Sequence, residues 1–137
     1  MGHRRNTRSR RTRHRPSFLL VSKDENTISV VKERLSRNKC NVLVLDDLQA
    51  IERSFKSMHL DVALLDMSCK IAGYSAFDLF RLVKNLNKDT RICFLTNFSI
   101  DRKEFLNVFP SIPLDFVINK KEMTSSELYD MFRMTVH

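Results

Sequence analysis

Glycine is nearly missing: Gly2 and Gly73 are the only two in 137 residues. That excludes a glycine-rich phosphate loop and a dinucleotide fingerprint, both of which need several glycines close together. Nucleotide-dependent enzymes of the P-loop and Rossmann kinds are therefore not expected. The three cysteines, Cys40, Cys69 and Cys93, are odd in number and show no CxxC spacing. Neither a disulfide framework nor a zinc site follows from them. His3, His14, His59 and His137 are scattered without an HxxxH pair, so histidine metal ligation is not expected. No apolar run approaches the roughly 18 residues of a membrane span, and no signal-peptide pattern starts the chain. The expectation is a soluble, cytoplasmic protein without a membrane partner. Asn97-Phe98-Ser99 fits a glycosylation acceptor, which carries no weight without a secretory signal.

Acid is missing from one stretch. Residues 1–15 hold seven arginines, Arg4, Arg5, Arg8, Arg10, Arg11, Arg13 and Arg15, and no Asp or Glu. The net charge of +8 belongs to this segment, because the rest of the chain has 17 Lys and Arg against 16 Asp and Glu. Without hydrophobic periodicity, residues 1–16 are expected to form a disordered arginine-rich tail. Such a segment can neutralise nucleic-acid phosphates with little sequence specificity. It lacks the apolar residues of an amphipathic transit peptide.

Hydrophobic residues make up 42% of the sequence, enough for one core, and ten Phe replace the absent Trp as bulk. Residues 17–137 are expected to form a single domain. Short apolar runs at Phe18–Val21, Val42–Leu45, Val62–Leu65, Ile92–Leu95 and Phe116–Ile118 read as strands buried on both faces. Between them lie helical patterns. Asn26 or Thr27 caps a helix bearing Ile28, Val31 and Leu35. Leu48, Ile51, Phe55 and Met58 line a second, and Phe77, Phe80, Val83 and Leu86 a third. Ser99 caps a short helix with Phe105 and Val108, and Thr124–Glu127 is a capping box opening a last helix with Leu128, Met131 and Phe132. Five βα units predict an α/β protein with a doubly wound, five-stranded parallel sheet of the flavodoxin-like kind.

In that arrangement the C-terminal strand ends share one edge, where α/β folds place ligands. Asp66 ends the third run, Thr96 the fourth, and Asn119 with Lys120 the fifth. Ser22, Lys23, Asp24 and Glu25 follow the first. Asp46 and Asp47 follow the second, which is expected at the sheet margin. Taken alone, Asp66 is equally an Asp that opens a loop; the neighbouring strand ends decide.

With Leu-Leu-Asp66-Met-Ser-Cys, Phe-Leu-Thr96-Asn and Val-Ile-Asn-Lys120 in order, residues 17–136 resemble a response-regulator receiver domain. The resemblance implies that Asp66 accepts a phosphoryl group from a histidine kinase. Thr96 would hydrogen-bond the phosphoryl oxygens and Lys120 would neutralise their charge. It also implies Mg²⁺ on Asp66, on the backbone carbonyl of Ser68 and on an acidic pair ending the first strand. Output would pass to a partner protein.

The acidic pair is where the sequence departs, because its positions hold Ser22 and Lys23. Asp24 or Glu25 could serve only if the loop slipped by one or two residues. An ammonium at Lys23 is expected to occupy the metal's charge niche, so Mg²⁺ should bind weakly or not at all. Lys70 and Lys121 also stand where the family commonly has Pro. Three readings follow: a stand-alone receiver phosphorylated on Asp66; a phosphorylation-independent module, with nucleic-acid contact through the arginine segment as an auxiliary; or a nucleic-acid-binding protein driven by that segment. No enzyme is expected. Ser68 stands where a haloacid-dehalogenase phosphatase needs its second Asp.

Overall fold

A computed structural model describes residues 15–97 and 117–121, with isolated positions at 103, 104, 107, 110, 123, 124 and 126. Arg4 to Arg13, Phe105, Val108, Phe116, Leu128, Met131 and Phe132 lie outside the described residues. So do Ser99 and, within the capping box, Ser125 and Glu127.

The described chain runs β1 (Ser17–Val21), α1 (Glu25–Ser36), β2 (Asn41–Leu45), α2 (Leu48–Ser57), β3 (Val62–Asp66), α3 (Ala76–Leu86), β4 (Arg91–Thr96) and β5 (Val117–Asn119). All pairings are parallel, and the sheet order is β2-β1-β3-β4-β5. This is the flavodoxin-like order the alternation predicts.

Side-chain alternation along each strand divides the core in two. Phe18, Leu20, Val62, Leu64, Cys93 and Leu95 pack with Val31 and Leu35 of α1. Leu19, Val21, Ala63, Leu65, Ile92 and Phe94 point the other way, against Ile51 of α2 and Leu79 and Val83 of α3. The sheet is thus covered on both faces, which is why its strands read as unbroken apolar runs. Phe94 also meets two α3 rings, with centroids 5.3 Å from Phe77 and 5.9 Å from Phe80. That spacing is typical of attractive aromatic pairs.

Helix starts depart from expectation in one place. α1 is capped by Asp24, not Asn26 or Thr27: the Asp24 carboxylate accepts from the Asn26 amide at 3.2 Å and the Thr27 hydroxyl at 2.6 Å. An aspartate side chain accepts from the first-turn amides of a helix, and its charge favours a helix N-terminus. Asp47 caps α2, and Ser75 with Asp78 forms a capping box at α3. Met58 also departs from its expected inward face. It is the C-cap of α2, in extended conformation, and is 40% exposed.

Candidate functional site

β3 carries Asp66 to the sheet's C-terminal edge between β1 and β4. Its side chain is fully buried, so every lone pair must find a donor inside the protein. The chain supplies them from three strand ends. Ser22, just past β1, donates its hydroxyl to Oδ2 at 2.7 Å. Ser68, two residues after Asp66, donates its amide at 2.9 Å and its hydroxyl at 2.7 Å to Oδ1. Lys120, just past β5, places Nζ 2.8 Å from each oxygen. The Cys69 thiol adds a long contact of 3.5 Å to Oδ2.

Burial pushes the Asp66 carboxyl upward, but the bonds from Lys120, Ser68 and Ser22 outweigh it, and the net shift is below the ordinary aspartate value. Asp66 is ionised over the whole neutral range.

Lys120 is fixed as well as paired. Its amide donates to the Thr96 carbonyl at 2.7 Å, continuing the β4–β5 ladder by one bond. Its ammonium also meets the Ser68 hydroxyl at 3.1 Å and lies 3.7 Å from an Asp24 oxygen. Thr96 is buried at the end of β4, one position beyond Leu95, the partner of Asp66. The residues expected from sequence at Asp66, Thr96, Lys120, Ser68, Ser22 and Asp24 therefore do share one edge.

Lys23 does not do what its position suggests. It is exposed and makes no ion pair with Asp66; the ammonium on that carboxylate is the one from Lys120. The reason is register. Val21 pairs with Leu65, so Ser22 stands level with Asp66, and Lys23 lies one position further past the end of β1. The Lys23 amide donates instead to the Cys69 sulfur at 3.4 Å.

Cys69 is the residue that sequence reasoning missed. Its sulfur lies 3.9 Å from both the Ser22 and Ser68 hydroxyl oxygens, half-buried over the carboxylate. A tight turn after β3, closed by the Cys69 amide on the Asp66 carbonyl at 3.3 Å, brings it back. An Asp followed two residues later by an amide it can accept from is a readable turn signal, and Asp66-Met-Ser68 carries it.

Asp24 is the second carboxylate at this edge. Its pKa is lowered, first by the Thr27 hydroxyl and then by the Asn26 amide and the Lys120 charge, which together outweigh the opposing desolvation and the Asp66 charge. Among the described residues no group of three His, Cys, Asp or Glu side chains is placed to hold a metal ion. No described helix is long and apolar enough to cross a membrane.

No protein-family model and no curated protein matches the sequence. Solved structures do match in three dimensions. A response regulator from Thermotoga maritima superposes with a TM-score of 0.68 at 18% identity, covering 89% of this chain and 98% of that one. A response regulator receiver domain protein from Clostridium thermocellum gives 0.67 at 18%, over 88% and 94%. A further Thermotoga maritima response regulator, solved in complex with Mg²⁺ and BeF, gives 0.65 at 20%, over 88% and 98%. At such identities the likeness is one of fold: the chain has the receiver fold.

Proposed function

On the receiver fold, we propose that this chain is a signalling module that acts through protein contacts and does not depend on metal-assisted phosphorylation. One observation carries the reading. Both oxygens of Asp66 are already occupied by an ammonium, two hydroxyls and an amide, about as many donors as a carboxylate has lone-pair sites. Attack on a phosphoryl donor needs one oxygen free and electron-rich, and the other held by a cation that also binds the donor.

Mg²⁺ fits this edge poorly. It prefers near-octahedral oxygen coordination and dehydrates reluctantly. Here it finds two carboxylates, Asp66 and Asp24, with the Lys120 ammonium between them at 2.8 and 3.7 Å. A hydroxyl at Ser22 replaces the charge an acidic pair would bring. Weak or absent Mg²⁺ binding is therefore part of the proposal.

In this reading the Asp66–Lys120 pair locks three strand ends in one arrangement, and a partner protein reads the resulting surface. The arginines of residues 4–15 add an auxiliary contact to polyanions such as nucleic acid. A second reading is favoured by a specific geometry: Lys23 points away and Asp24 stands near the carboxylate. In it, a histidine kinase phosphorylates Asp66 with Mg²⁺ on Asp24, Asp66 and the Ser68 carbonyl, and Thr96 and Lys120 bind the phosphoryl group.

Acetyl phosphate with and without Mg²⁺, followed by intact-mass spectrometry, separates the two. The expected result is no added phosphoryl group. Mg²⁺-dependent incorporation that disappears in Asp66→Asn would overturn the proposal in favour of the second reading.

A further inference from the structure

The strands begin at the edge opposite Asp66, and parallel register aligns their starts. Ser17 pairs with Asn41, and one step on, Phe18 pairs with Val62. Ser17 therefore stands beside Asp61, whose amide and carboxylate both bond the Ser17 backbone. Val62 pairs in turn with Arg91, so Asp61 stands beside Thr90. Two residues before the four members of this row come Lys39, Arg15, His59 and Lys88, one at each strand start, and all four are exposed. Helices in a parallel sheet end at this same edge, and the C-cap of α1 adds the exposed Arg37. Lys84 of α3 donates its ammonium to the carbonyls of Lys88 and Thr90, at 3.2 and 3.1 Å.

The acids here do little to balance this. Asp61 is buried against the Ser17 amide and His59, and Glu33 is held by Arg34 and Arg37. Asp89 stands exposed beside Lys88. Basic residues at helix C-termini are common because they complement the helix dipole, which accounts for Arg37 and Lys84 but not for the exposed cations Arg15, Lys39 and Lys88 at three of the four strand starts. Lys39 is the telling one. Its φ is +57°, in the left-handed conformation that ends a helix and that ordinarily selects Gly. A lysine there carries a conformational cost and adds a charge.

We propose that this edge binds the phosphate backbone of duplex DNA, continuing onto the folded body the arginine-rich segment that enters it at Arg15. Four strand starts span roughly 14 Å, a length of duplex that carries about eight phosphates. A duplex is favoured over a single strand because single-strand sites stack bases on exposed aromatics. Among the described residues the exposed large apolar side chains are Met58 and Tyr74, and Tyr74 lies in the β3–α3 loop at the opposite edge. Contacts of this kind carry charge and no base readout, so binding should be sequence-independent and steeply salt-dependent.

The inference extends the polyanion reading of the arginine segment, and two full-length variants separate the two. Anisotropy of a labelled duplex of about 20 base pairs is followed between roughly 50 and 200 mM salt. Lys39→Gly with Lys88→Gln removes two edge charges and relieves the left-handed lysine; Arg8→Gln, Arg10→Gln and Arg11→Gln weaken the segment alone. The edge variant should melt no lower than wild type, bind at least about 10-fold more weakly, and show a log–log salt slope shallower by about two. Wild-type affinity in the edge variant, with loss confined to the segment variant, would overturn the edge and keep the segment. Absence of duplex binding by wild type would overturn both. Tighter binding to single-stranded RNA, or to phosphatidylserine vesicles, would overturn the assignment to duplex DNA.

Discussion

Lys120 straddles Asp66: its Nζ lies 2.8 Å from both carboxylate oxygens, with 11% of its own side chain exposed and none of its partner's. A cation so placed compensates a charge that could not otherwise remain inside the protein. Removing it should be strongly destabilising. Lys120→Ala should cost about 3–5 kcal/mol, the penalty of a buried charge left without its partner. Lys120→Met combined with Asp66→Asn should cost less than the two single changes together, by about 1–3 kcal/mol in a urea-unfolding cycle. Strict additivity would mean the pair contributes nothing beyond its packing.

The same pair sets the behaviour in acid. The folded-state pKa of Asp66 lies below its unfolded value, because Lys120, Ser68 and Ser22 outweigh the opposing burial. A depressed carboxylate contributes stability that is complete above the unfolded pKa and is lost as pH falls through the folded one. Thermal midpoints should therefore stay level down to about pH 5 and decline below about pH 4. Asp66→Asn should start lower and decline less steeply over the same range. Asp24 and Asp78 are lowered too, each by serine or threonine and amide bonds at a helix start, so some decline should persist in that variant.

Ser22 provides a gain-of-function test of the metal reading. Ser22→Asp places a second carboxylate where a hydroxyl now donates to Asp66 at 2.7 Å. Without metal, like charges this close should destabilise the fold by about 1–3 kcal/mol. Millimolar Mg²⁺ should restore stability in the variant and leave wild type unchanged, as read by thermal shift. Equal Mg²⁺ response in the two proteins would show that Ser22 is not what limits metal binding.

Thiol chemistry should single out Cys69. It is half-buried, whereas Cys93 is fully buried, and burial together with the Asp61 charge pushes the Cys40 thiol up to about 11. Thiolates are the reactive species, so Cys40 and Cys93 should stay silent in the native state. A disulfide reagent should show one native-state thiol, lost in Cys69→Ser, and three after denaturation. Two or more native-state thiols would contradict this packing.

The α3 capping box offers a control remote from Asp66. Ser75→Ala removes the acceptor of the Asp78 amide and should cost about 1 kcal/mol in denaturant unfolding. Binding at either sheet edge should be unaffected.

Much of this was legible in the sequence because burial on both sheet faces writes itself as apolar runs. Val62–Leu65 followed by Asp66 marks a strand and its edge at once, and Thr96 and Lys120 mark two more. What escaped was set by direction and not by composition. Lys23 was read as a cation facing Asp66, but register sets Ser22 level with that carboxylate and leaves Lys23 past the strand end, so the ammonium there is that of Lys120 alone, expected at this edge from 54 residues away. Cys69 was missed because the turn signal at Asp66-Met-Ser68 says where the chain bends and not which side chain then reaches the carboxylate. At the start of α1, three polar residues could all cap, and the aspartate prevailed through its charge. Met58 keeps the helical spacing of α2 but falls where the helix has already ended.

The position of β1 in the sheet has a consequence for biogenesis. It is the first strand of the body to be made, yet it pairs on both sides, with β2 and with β3. During synthesis Phe18–Val21 can acquire one neighbour once residue 45 has emerged, while its other backbone edge stays open until residue 66 follows. For those twenty or so codons the nascent chain displays an adhesive apolar strand, the kind of exposure that invites chaperones or aggregation. The rate at which residues 46–66 emerge thus bears on how long that strand stays half-paired, a consequence of strand order.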